Sequence, residues 1–292
     1  MLKIYLSDVS PGQARPEKAV ERVGRLNEYF GTMTLDQITG ATCRSYTATR
    51  GRPGGARRDL QDLAAAINHH SREGFHRGTV RVVLPPRGKA RQRWLTRAEF
   101  ARLLMTCWRT RETQEGHGTK KRPLRHLCRL LLIGVYTGSR PGAILNATWR
   151  DGPGLSFVDT ANGLFYRHAS GEEETDKRQP PVRLSARLLA HMRRWERMDA
   201  ARRPAPLYVV NFGGSPILSA KTALGRATAL CGLQNVTAYS LRHTAASWLV
   251  AKGLPTRMVA DFLGTSEAMI LAHYGHLSPG YQDRAALEIG RK

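Results

Sequence analysis

Three residues of this 292-residue chain have side chains suited to chemistry on a phosphodiester. Arg140 and Arg242 lie 102 positions apart, and Tyr274 follows Arg242 by 32 positions. A guanidinium group is planar and always charged, so it binds phosphate oxygens bidentately and stabilises charge that develops on them. A tyrosine hydroxyl that attacks phosphorus forms a covalent phosphotyrosyl intermediate. The set predicts an enzyme that breaks and rejoins nucleic acid.

A reaction of this kind also needs an acid that protonates the leaving 5′-oxygen. Lys177 is the candidate because its flexible amine lies in a loop between two predicted strands. The neighbouring Arg178 is a poor acid because a guanidinium group stays protonated in proteins. The sequence contains no nucleotide-binding glycine loop and no cluster of metal-ligand residues. We therefore expect neither a cofactor nor a metal.

The composition independently favours a nucleic-acid partner. Lysine and arginine total 46 against 23 aspartate and glutamate residues, a formal net charge of +23. A folded protein this basic commonly binds a polyanion. The longest apolar run, residues 130–135, is too short to span a membrane, and the N-terminus does not resemble a signal peptide. The four cysteines form no C-x-x-C pair, so we expect a cytosolic protein with reduced thiols and no membrane partner.

Each candidate residue also has an ordinary structural explanation. A Thr-Gly-x-Arg segment commonly begins a helix, arginines of a basic protein are commonly solvated, and a late tyrosine commonly packs in a core. Residues 241–263 also resemble a helix-turn-helix with Gly253 in the turn, which indicates DNA binding without cleavage. Taken singly, these residues do not distinguish a protein that only binds DNA from one that also cleaves it.

Residues 1–84 are predicted to form a helical domain. Segments 16–30, 34–39 and 57–73 show helical spacing of apolar residues or helix-start signals. Segment 50–58 is rich in glycine and arginine and is predicted to be a basic loop. Residues 85–93 combine proline, glycine and basic residues without an acid, which is typical of a basic linker between domains.

Residues 94–276 are predicted to form a second, mainly helical domain with a small antiparallel β-sheet, so the fold class is α+β. Thr96 and Glu99 have the spacing of a capping box at the first helix. The predicted strands are 155–158, 163–167 and 181–184, and the predicted helices are 124–136, 185–203, 218–231, 238–252, 255–263 and 266–274. Residues 277–292 remain as a C-terminal tail.

The order and spacing of these motifs resemble the tyrosine recombinases, the phage integrase family. Residues 136–140 (Tyr-Thr-Gly-Ser-Arg) are similar to the family's first arginine box. Residues 241–244 (Leu-Arg-His-Thr) and 272–276 (Ala-His-Tyr-Gly-His) are similar to its second box and its nucleophile. Segment 175–184 resembles the β-hairpin that carries the family's catalytic lysine, which here is Lys177.

The resemblance implies a mechanism. Tyr274 attacks the scissile phosphate and gives a 3′-phosphotyrosyl bond and a free 5′-hydroxyl. Arg140 and Arg242 bind the phosphate, and Lys177 protonates the leaving group. The 5′-hydroxyl of a partner strand then reverses the step.

The resemblance also implies an assembly. The family's fold is a two-domain C-shaped clamp, in which residues 1–84 are the core-binding domain and 94–276 the catalytic domain. The expected partners are double-stranded DNA with a specific recombination site, a homotetramer on two duplexes, and accessory DNA-bending proteins. The tail, 277–292, is expected to dock on a neighbouring subunit.

Three positions depart from the family's pattern. The position three before the second arginine, usually histidine, is Tyr239, and the position nine before the nucleophile, usually histidine or tryptophan, is Thr265. The acidic residue three after the first arginine is replaced by Ala143. The two hydroxyl groups can donate a hydrogen bond to a phosphate oxygen, but neither matches imidazole as a proton acceptor. His243 is expected to serve structure, so how Tyr274 loses its proton is open.

The predicted function is site-specific DNA recombination by the integrase of a prophage or another mobile element, in the bacterial cytoplasm. Two alternatives remain: a type IB topoisomerase-like enzyme, and a catalytically weak DNA-binding regulator of the same fold. The separate helical N-terminal domain and the short chain favour the recombinase over the topoisomerase. The replaced histidine positions favour the regulator, whereas the retained Tyr274 and Lys177 favour the enzyme.

Overall fold

The computed structural model describes residues 1–13, 15–88, 92–168, 178–280 and 283–289. The chain forms two compact units, Met1–Arg91 and Gln92–Lys292. The division between them falls inside segment 85–93. Across the described residues, no helix is long and apolar enough to cross a membrane. No group of three or more His, Cys, Asp or Glu side chains in these ranges is arranged to hold a metal ion.

The first unit is helical and has an apolar core of its own. It contains α1 (Leu2–Asp8), α2 (Pro16–Phe30), α3 (Gly40–Arg50) and α4 (Pro53–Arg72), with 3-10 turns at Ser10–Gly12 and Leu35–Gln37. Leu26, Leu60 and Leu63 are fully buried, because apolar residues three and four positions apart share one face of a helix. Helix α2 has the bounds that the sequence predicts.

The loop predicted at residues 50–58 is wrong, because α4 begins at Pro53. Proline at the first helical position has a suitable φ and lacks only an amide hydrogen that is unpaired there in any helix. Gly51 ends α3 in the left-handed conformation, with φ 63°. The break between the helices is therefore only Gly51 and Arg52. The segment predicted as a helix at 34–39 is a short 3-10 turn.

A buried carboxylate joins three helices of this unit. Asp59 is 1% exposed and accepts hydrogen bonds from Arg25 Nη2 at 2.9 Å, Tyr46 Oη at 2.9 Å and Arg50 Nε at 3.1 Å. Burial by itself raises the pKa of Asp59, but these hydrogen bonds outweigh burial and lower the pKa below its ordinary value. Burial and the bond to Asp59 raise the pKa of Tyr46 to about 12.

We expect Asp59→Ala to lower the free energy of unfolding of this unit by about 3–5 kcal/mol, because two guanidinium groups and a hydroxyl lose their shared acceptor. Far-UV circular dichroism of the full chain measures the loss. Tryptophan fluorescence is the internal reference, because all five tryptophans lie in the second unit. The pair of Glu21 with Lys18 is exposed, so Glu21→Ala is the control, with a change below about 0.5 kcal/mol. Equal losses of stability in Asp59→Ala and Glu21→Ala would show that the buried hydrogen bonds of Asp59 do not stabilise this unit.

The same carboxylate contributes to the pH dependence of stability. Because folding lowers the pKa of Asp59, its stabilisation is present above the ordinary carboxyl pKa and is lost as the pH falls through the lowered value. The Asp59→Ala variant is expected to lack this part of the acid transition.

The second unit is mainly helical with small antiparallel sheets, which confirms the predicted α+β class. Its helices are α5 (Arg97–Arg109), α6 (Leu127–Thr137), α7 (Pro141–Leu145), α8 (Ala186–Ala200), α9 (Lys221–Leu230), α10 (Ala238–Val250), α11 (Thr256–Leu263), α12 (Glu267–Tyr274) and α13 (Asp283–Ile289). The capping box at α5 is present, since Thr96 Oγ1 accepts from the Glu99 amide and Glu99 Oε2 from the Thr96 amide. A 3-10 turn, Gly275–Leu277, follows α12.

The strands of this unit are short. They are β1 (Thr113–Gln114), β2 (His117–Gly118), β3 (Phe157–Asp159), β4 (Leu164–Tyr166), β5 (Val182–Arg183), β6 (Asn211–Phe212) and β7 (Ser215–Pro216). The predicted three-stranded sheet has the order β3-β4-β5 and is antiparallel. Phe165 pairs with Val158 and Val182, and all three side chains are buried. The sequence does not predict the hairpins β1–β2 and β6–β7, because two residues a strand cannot show a two-residue period.

A close helix pair brings the candidate residues together. Leu130, Leu131 and Ile133 of α6 are fully buried in the core of the unit. A Cβ at Gly134 would lie 2.9 Å from the Cβ of Leu241, so glycine permits the close approach of α10 to α6. The C-terminal end of α6 therefore lies beside the first turns of α10.

Candidate active site

Arg140 lies where α6 ends and α7 begins. Gly138 ends α6 with φ 60°, and a Cβ there would lie 2.1 Å from Leu263 Cδ2. Arg140 is then the N-cap of α7, in agreement with the helix start that a Thr-Gly-x-Arg segment commonly marks. Its Nη1 donates to the carbonyl oxygen of Arg178 at 2.9 Å, and its Nη2 to that of Gly264 at 3.3 Å. The backbone thus holds this guanidinium group from two sides.

Arg242 lies in the second turn of α10 and faces the same backbone. Its Nη1 donates to the carbonyl oxygens of Gly138 at 2.9 Å and of Leu263 at 2.6 Å. Burial and then the charge of Arg140 lower the pKa of Arg242 to about 10. The group therefore remains charged at neutral pH.

A third arginine, which no sequence motif indicates, completes the group. Arg167 follows β4 and is only 4% exposed. It donates from Nε to the carbonyl oxygen of Pro180 at 2.7 Å, from Nη2 to that of Phe262 at 3.1 Å and from Nη1 to that of Leu263 at 3.4 Å. Burial and then the two neighbouring guanidinium charges lower its pKa to about 9. We call Arg140, Arg167 and Arg242 the three-arginine cluster.

The three-arginine cluster has no acidic counterpart in the part of the chain that the structure describes. Its hydrogen-bond acceptors there are backbone carbonyl oxygens, which carry no net charge. Two other partly buried arginines are different: Arg22 is paired with Asp62, and Arg129 with Asp199. Placing like charges together without a carboxylate costs stability, and functional sites are where such arrangements occur. Three guanidinium groups held side by side by neutral acceptors can bind an anion such as a phosphate.

Tyr274 is the last residue of α12 and packs in a small core shared by α10, α11 and α12. It is 9% exposed, and its hydroxyl is hydrogen-bonded to Nδ1 of His243. Burial raises the pKa of Tyr274, and the charge of Arg242 partly opposes this rise. The chain continues from Gly275 into a 3-10 turn, and the ring of Tyr274 lies in this small core.

The two residues at the family's histidine positions make weaker contacts. Tyr239 lies in the first turn of α10 and is 54% exposed. Thr265 is half-buried beside Gly264, and its amide donates to the carbonyl oxygen of Ala260 at 3.0 Å. Within the described ranges, neither side chain hydroxyl is hydrogen-bonded to the three-arginine cluster or to Tyr274.

Lys177, the predicted acid, lies outside the described residues. Arg178, the next residue along the chain, is described, and its carbonyl oxygen is the one bound by Arg140.

The sequence of residues 93–280, more than half of the chain, matches the sequence model of the phage integrase family. The chain belongs to the phage integrase family. The integrase of Salmonella phage P22 is 22% identical over 218 residues, which are 71% of this chain and 50% of that protein. This phage integrase family member thus spans about half the length of its curated relative.

Solved structures of the family share the fold. An integrase of the Tn1549 transposon, in complex with circular intermediate DNA, is similar with a TM-score of 0.73 and 15% identity, over 99% of each chain. A lambda integrase dimer bound to a COC′ core site is similar with a TM-score of 0.67 and 16% identity, over 94% of this chain and 75% of that one. At these identities the likeness establishes the fold.

The structure of this phage integrase family member adds two residues to the candidate site. The sequence does not indicate Arg167, because a charged residue at the end of a strand is ordinarily exposed and only the tertiary fold shows its burial. The sequence predicts a structural role for His243, which lies beside Arg242 inside the segment that matches the family. Its contact with Tyr274 joins α10 to α12, and no sequence period reveals such a pairing.

Proposed function

We propose that this chain is a site-specific DNA recombinase that cuts and rejoins strands through a phosphotyrosyl bond at Tyr274, as the integrase of a prophage or another mobile element. The observation that carries the proposal is the three-arginine cluster, whose charges meet no carboxylate among the described residues. Arg242 of the cluster is near enough to Tyr274 for its charge to act on the hydroxyl. Membership of the phage integrase family supports the same activity.

In the proposed cleavage, Oη of Tyr274 bonds to phosphorus while the bond from phosphorus to the 5′-oxygen breaks. Arg140 and Arg242 hold the non-bridging oxygens and stabilise their developing charge. Lys177 gives the leaving 5′-oxygen its proton, and its neighbour Arg178 contacts Arg140. A 5′-hydroxyl from a partner strand then attacks the phosphotyrosyl bond and releases Tyr274.

Supporting roles are proposed for two hydroxyl groups and for a buried guanidinium. Tyr239 and Thr265 donate hydrogen bonds to phosphate oxygens once DNA is bound. Arg167 adds positive charge behind the other two arginines and holds the backbone at Phe262 and Leu263 to which it donates.

The proposed partner is double-stranded DNA with a specific recombination site. The similar lambda integrase is a dimer bound to a core site, and the similar Tn1549 integrase is bound to circular intermediate DNA. A homotetramer on two duplexes, with accessory DNA-bending proteins, is the proposed working assembly. Residues 1–84 are the proposed core-binding domain, 94–276 the proposed catalytic domain, and 277–292 the proposed contact to a neighbouring subunit.

A second candidate, a DNA-binding regulator with weak catalysis, is supported by one observation. The histidine positions of the family are occupied by Tyr239 and Thr265, and Tyr239 is more than half exposed. Neither side chain accepts a proton as imidazole does.

Covalent capture separates the two candidates. A library of nicked duplexes with a randomised segment is incubated with the protein, and DNA that stays attached in SDS is amplified and sequenced through several rounds. Wild type is expected to enrich one site and to carry the DNA on the peptide that contains Tyr274. Tyr274→Phe is expected to form no adduct on that site while keeping nearly the same affinity for it, because it loses only the nucleophilic oxygen.

Tyr239→Phe deletes the hydroxyl of a second tyrosine near Arg242. It is expected still to form the Tyr274 adduct, but more slowly, because it loses only the proposed hydrogen bond to a phosphate oxygen. An adduct in Tyr274→Phe would show another nucleophile. Absence of an adduct in wild type, on duplexes that it binds specifically, would favour the regulator.

A further inference from the structure

The hydroxyl of Tyr274 has a titratable partner. Nδ1 of His243 is its hydrogen-bond partner, and the two rings lie 6.0 Å apart at 45°. His273 also lies near Tyr274, with its ring 6.2 Å away at 62°. The Nδ1 atom of His273, however, lies 3.4 Å from Nε2 of Gln92, so this imidazole has a different partner.

The geometry points to His243 as the general base that takes the proton of the Tyr274 hydroxyl during strand cleavage and returns it during rejoining. The inference rests on the proposed cleavage by Tyr274. Two facts of placement support it. His243 is adjacent in sequence to Arg242, so one turn of α10 presents a phosphate-binding group and a base to the same reaction. Helix α12 supplies the nucleophile from the opposite side of the contact.

The proton and electrons balance without a further reactant. As the bond from Oη to phosphorus forms, the hydroxyl proton passes to Nδ1 of His243, and the bond from phosphorus to the 5′-oxygen breaks. The leaving oxygen takes its proton from a separate acid, for which Lys177 is proposed. In rejoining, the 5′-hydroxyl gives up its proton to that group, and the imidazolium of His243 reprotonates the departing tyrosine oxygen.

The surroundings of His243 suit a base. The titratable and charged groups that face it among the described residues are Arg242 on its own helix and His273 and Tyr274 on α12. Burial, then His273 and Arg242, lower the pKa of His243 below its ordinary value. These surroundings favour the neutral imidazole, in which Nδ1 accepts when the ring proton is on Nε2. Burial raises the pKa of Tyr274, so the hydroxyl keeps its proton until attack begins, and a base is needed at that moment.

Two other roles fit the same contact. His243 can act as a latch that holds Tyr274 away from the phosphate, and its loss then accelerates cleavage. It can also act only as a positioning residue, and then any side chain that accepts a hydrogen bond at the same place preserves cleavage.

Three variants of the full chain separate these roles, with single-turnover cleavage of the captured site as the measurement. His243→Asn keeps an acceptor at the place of Nδ1 but cannot take a proton, and His243→Ala removes both. We expect both to slow cleavage by about 10²–10⁴-fold with DNA affinity nearly unchanged. His273→Asn is the matched control on the neighbouring imidazole and is expected to cleave like wild type.

The pH profile distinguishes a base from a structural role. Wild-type cleavage is expected to fall as the pH drops through the lowered pKa of His243, and to level off above it. With His243→Asn the rate is expected to keep rising with pH toward ionisation of Tyr274. A fluorinated tyrosine at position 274, whose hydroxyl ionises more readily, is expected to restore cleavage to His243→Asn. A 5′-bridging phosphorothiolate is not expected to restore it, because that substrate bypasses only the leaving-group acid.

Several outcomes overturn the inference. Faster cleavage by either His243 variant shows a latch, and near-normal cleavage by His243→Asn alone shows positioning. If both variants form the Tyr274 adduct at the wild-type rate, His243 has no role while the proposed function stands. If wild type forms no adduct on a site that it binds, the proposed function fails and the inference fails with it. Should His243→Ala not fold, His243→Asn and the fluorinated tyrosine still decide the matter.

Discussion

Arg242→Ala is expected to lower single-turnover cleavage by at least 10²–10³-fold, the usual cost of removing one preorganised donor from a developing oxyanion. The guanidinium group is held by Gly138 and Leu263, so it is fixed before DNA binds. Arg242→Lys keeps a charge but loses the planar fork. We therefore expect the cleavage rate of Arg242→Lys to lie between those of wild type and Arg242→Ala.

The control for Arg242→Ala is loss of a positive charge elsewhere in the same unit. Arg257 of α11 is largely exposed and paired with Asp261 at 3.2 Å. Arg257→Ala removes one charge from the protein without touching the three-arginine cluster, so its cleavage rate at fixed salt is expected to stay close to that of wild type. If the two variants lose cleavage equally, the effect of Arg242 is general electrostatic attraction of DNA and not stabilisation of the reacting phosphate.

Much of the fold follows from local sequence rules. Helix α2 has the predicted bounds because Pro16 suits a first helical position and its apolar residues recur at helical spacing. The capping box at Thr96 is satisfied in both directions. Arg140 lies at the N-cap position of α7, because Gly138 ends α6 and Pro141 begins α7.

The hydrogen bonds that hold the side chains of the candidate site depend on the tertiary fold. Arg167 is buried against carbonyl oxygens 95 and 96 positions away, and nothing in its local sequence distinguishes it from a solvated arginine. The partner of the Tyr274 hydroxyl is 31 positions away on another helix. Motif spacing identifies Arg140, Arg242 and Tyr274 as candidates, whereas the contact between His243 and the Tyr274 hydroxyl depends on the packing of α10 against α12.

A second large effect is expected from Gly264→Ala. Gly264 ends α11 with φ 68°, and its carbonyl oxygen accepts from Arg140. A Cβ there would lie 2.6 Å from the carbonyl oxygen of Arg178 and 2.9 Å from Cδ of Pro180. These are backbone and ring atoms, which cannot rotate away. Either the chain at 178–180 or Gly264 itself must move, and each holds one of the two carbonyl oxygens that position Arg140.

We therefore expect Gly264→Ala to cost about 3 kcal/mol of stability, from left-handed strain of about 1–2 kcal/mol and overpacking of about 1–3 kcal/mol. Gly253→Ala is the matched control: φ is 77°, and the nearest atom to an added Cβ is Pro279 Cγ at 3.8 Å, an ordinary contact. Gly253→Ala is expected to lose only the stability that corresponds to the left-handed strain, and to cleave at the wild-type rate.

Cleavage is measured at a temperature well below the unfolding transitions of Gly264→Ala and Gly253→Ala, so that both variants are compared as folded proteins. The cleavage rate of Gly264→Ala is expected to fall toward that of Arg140→Ala, because the added methyl group displaces the carbonyl oxygens that hold the Arg140 guanidinium group. Combining Gly264→Ala with Arg140→Ala then adds little further loss, since the two changes remove the same interaction. A fully additive double variant would show that Gly264→Ala affects cleavage independently of the position of Arg140.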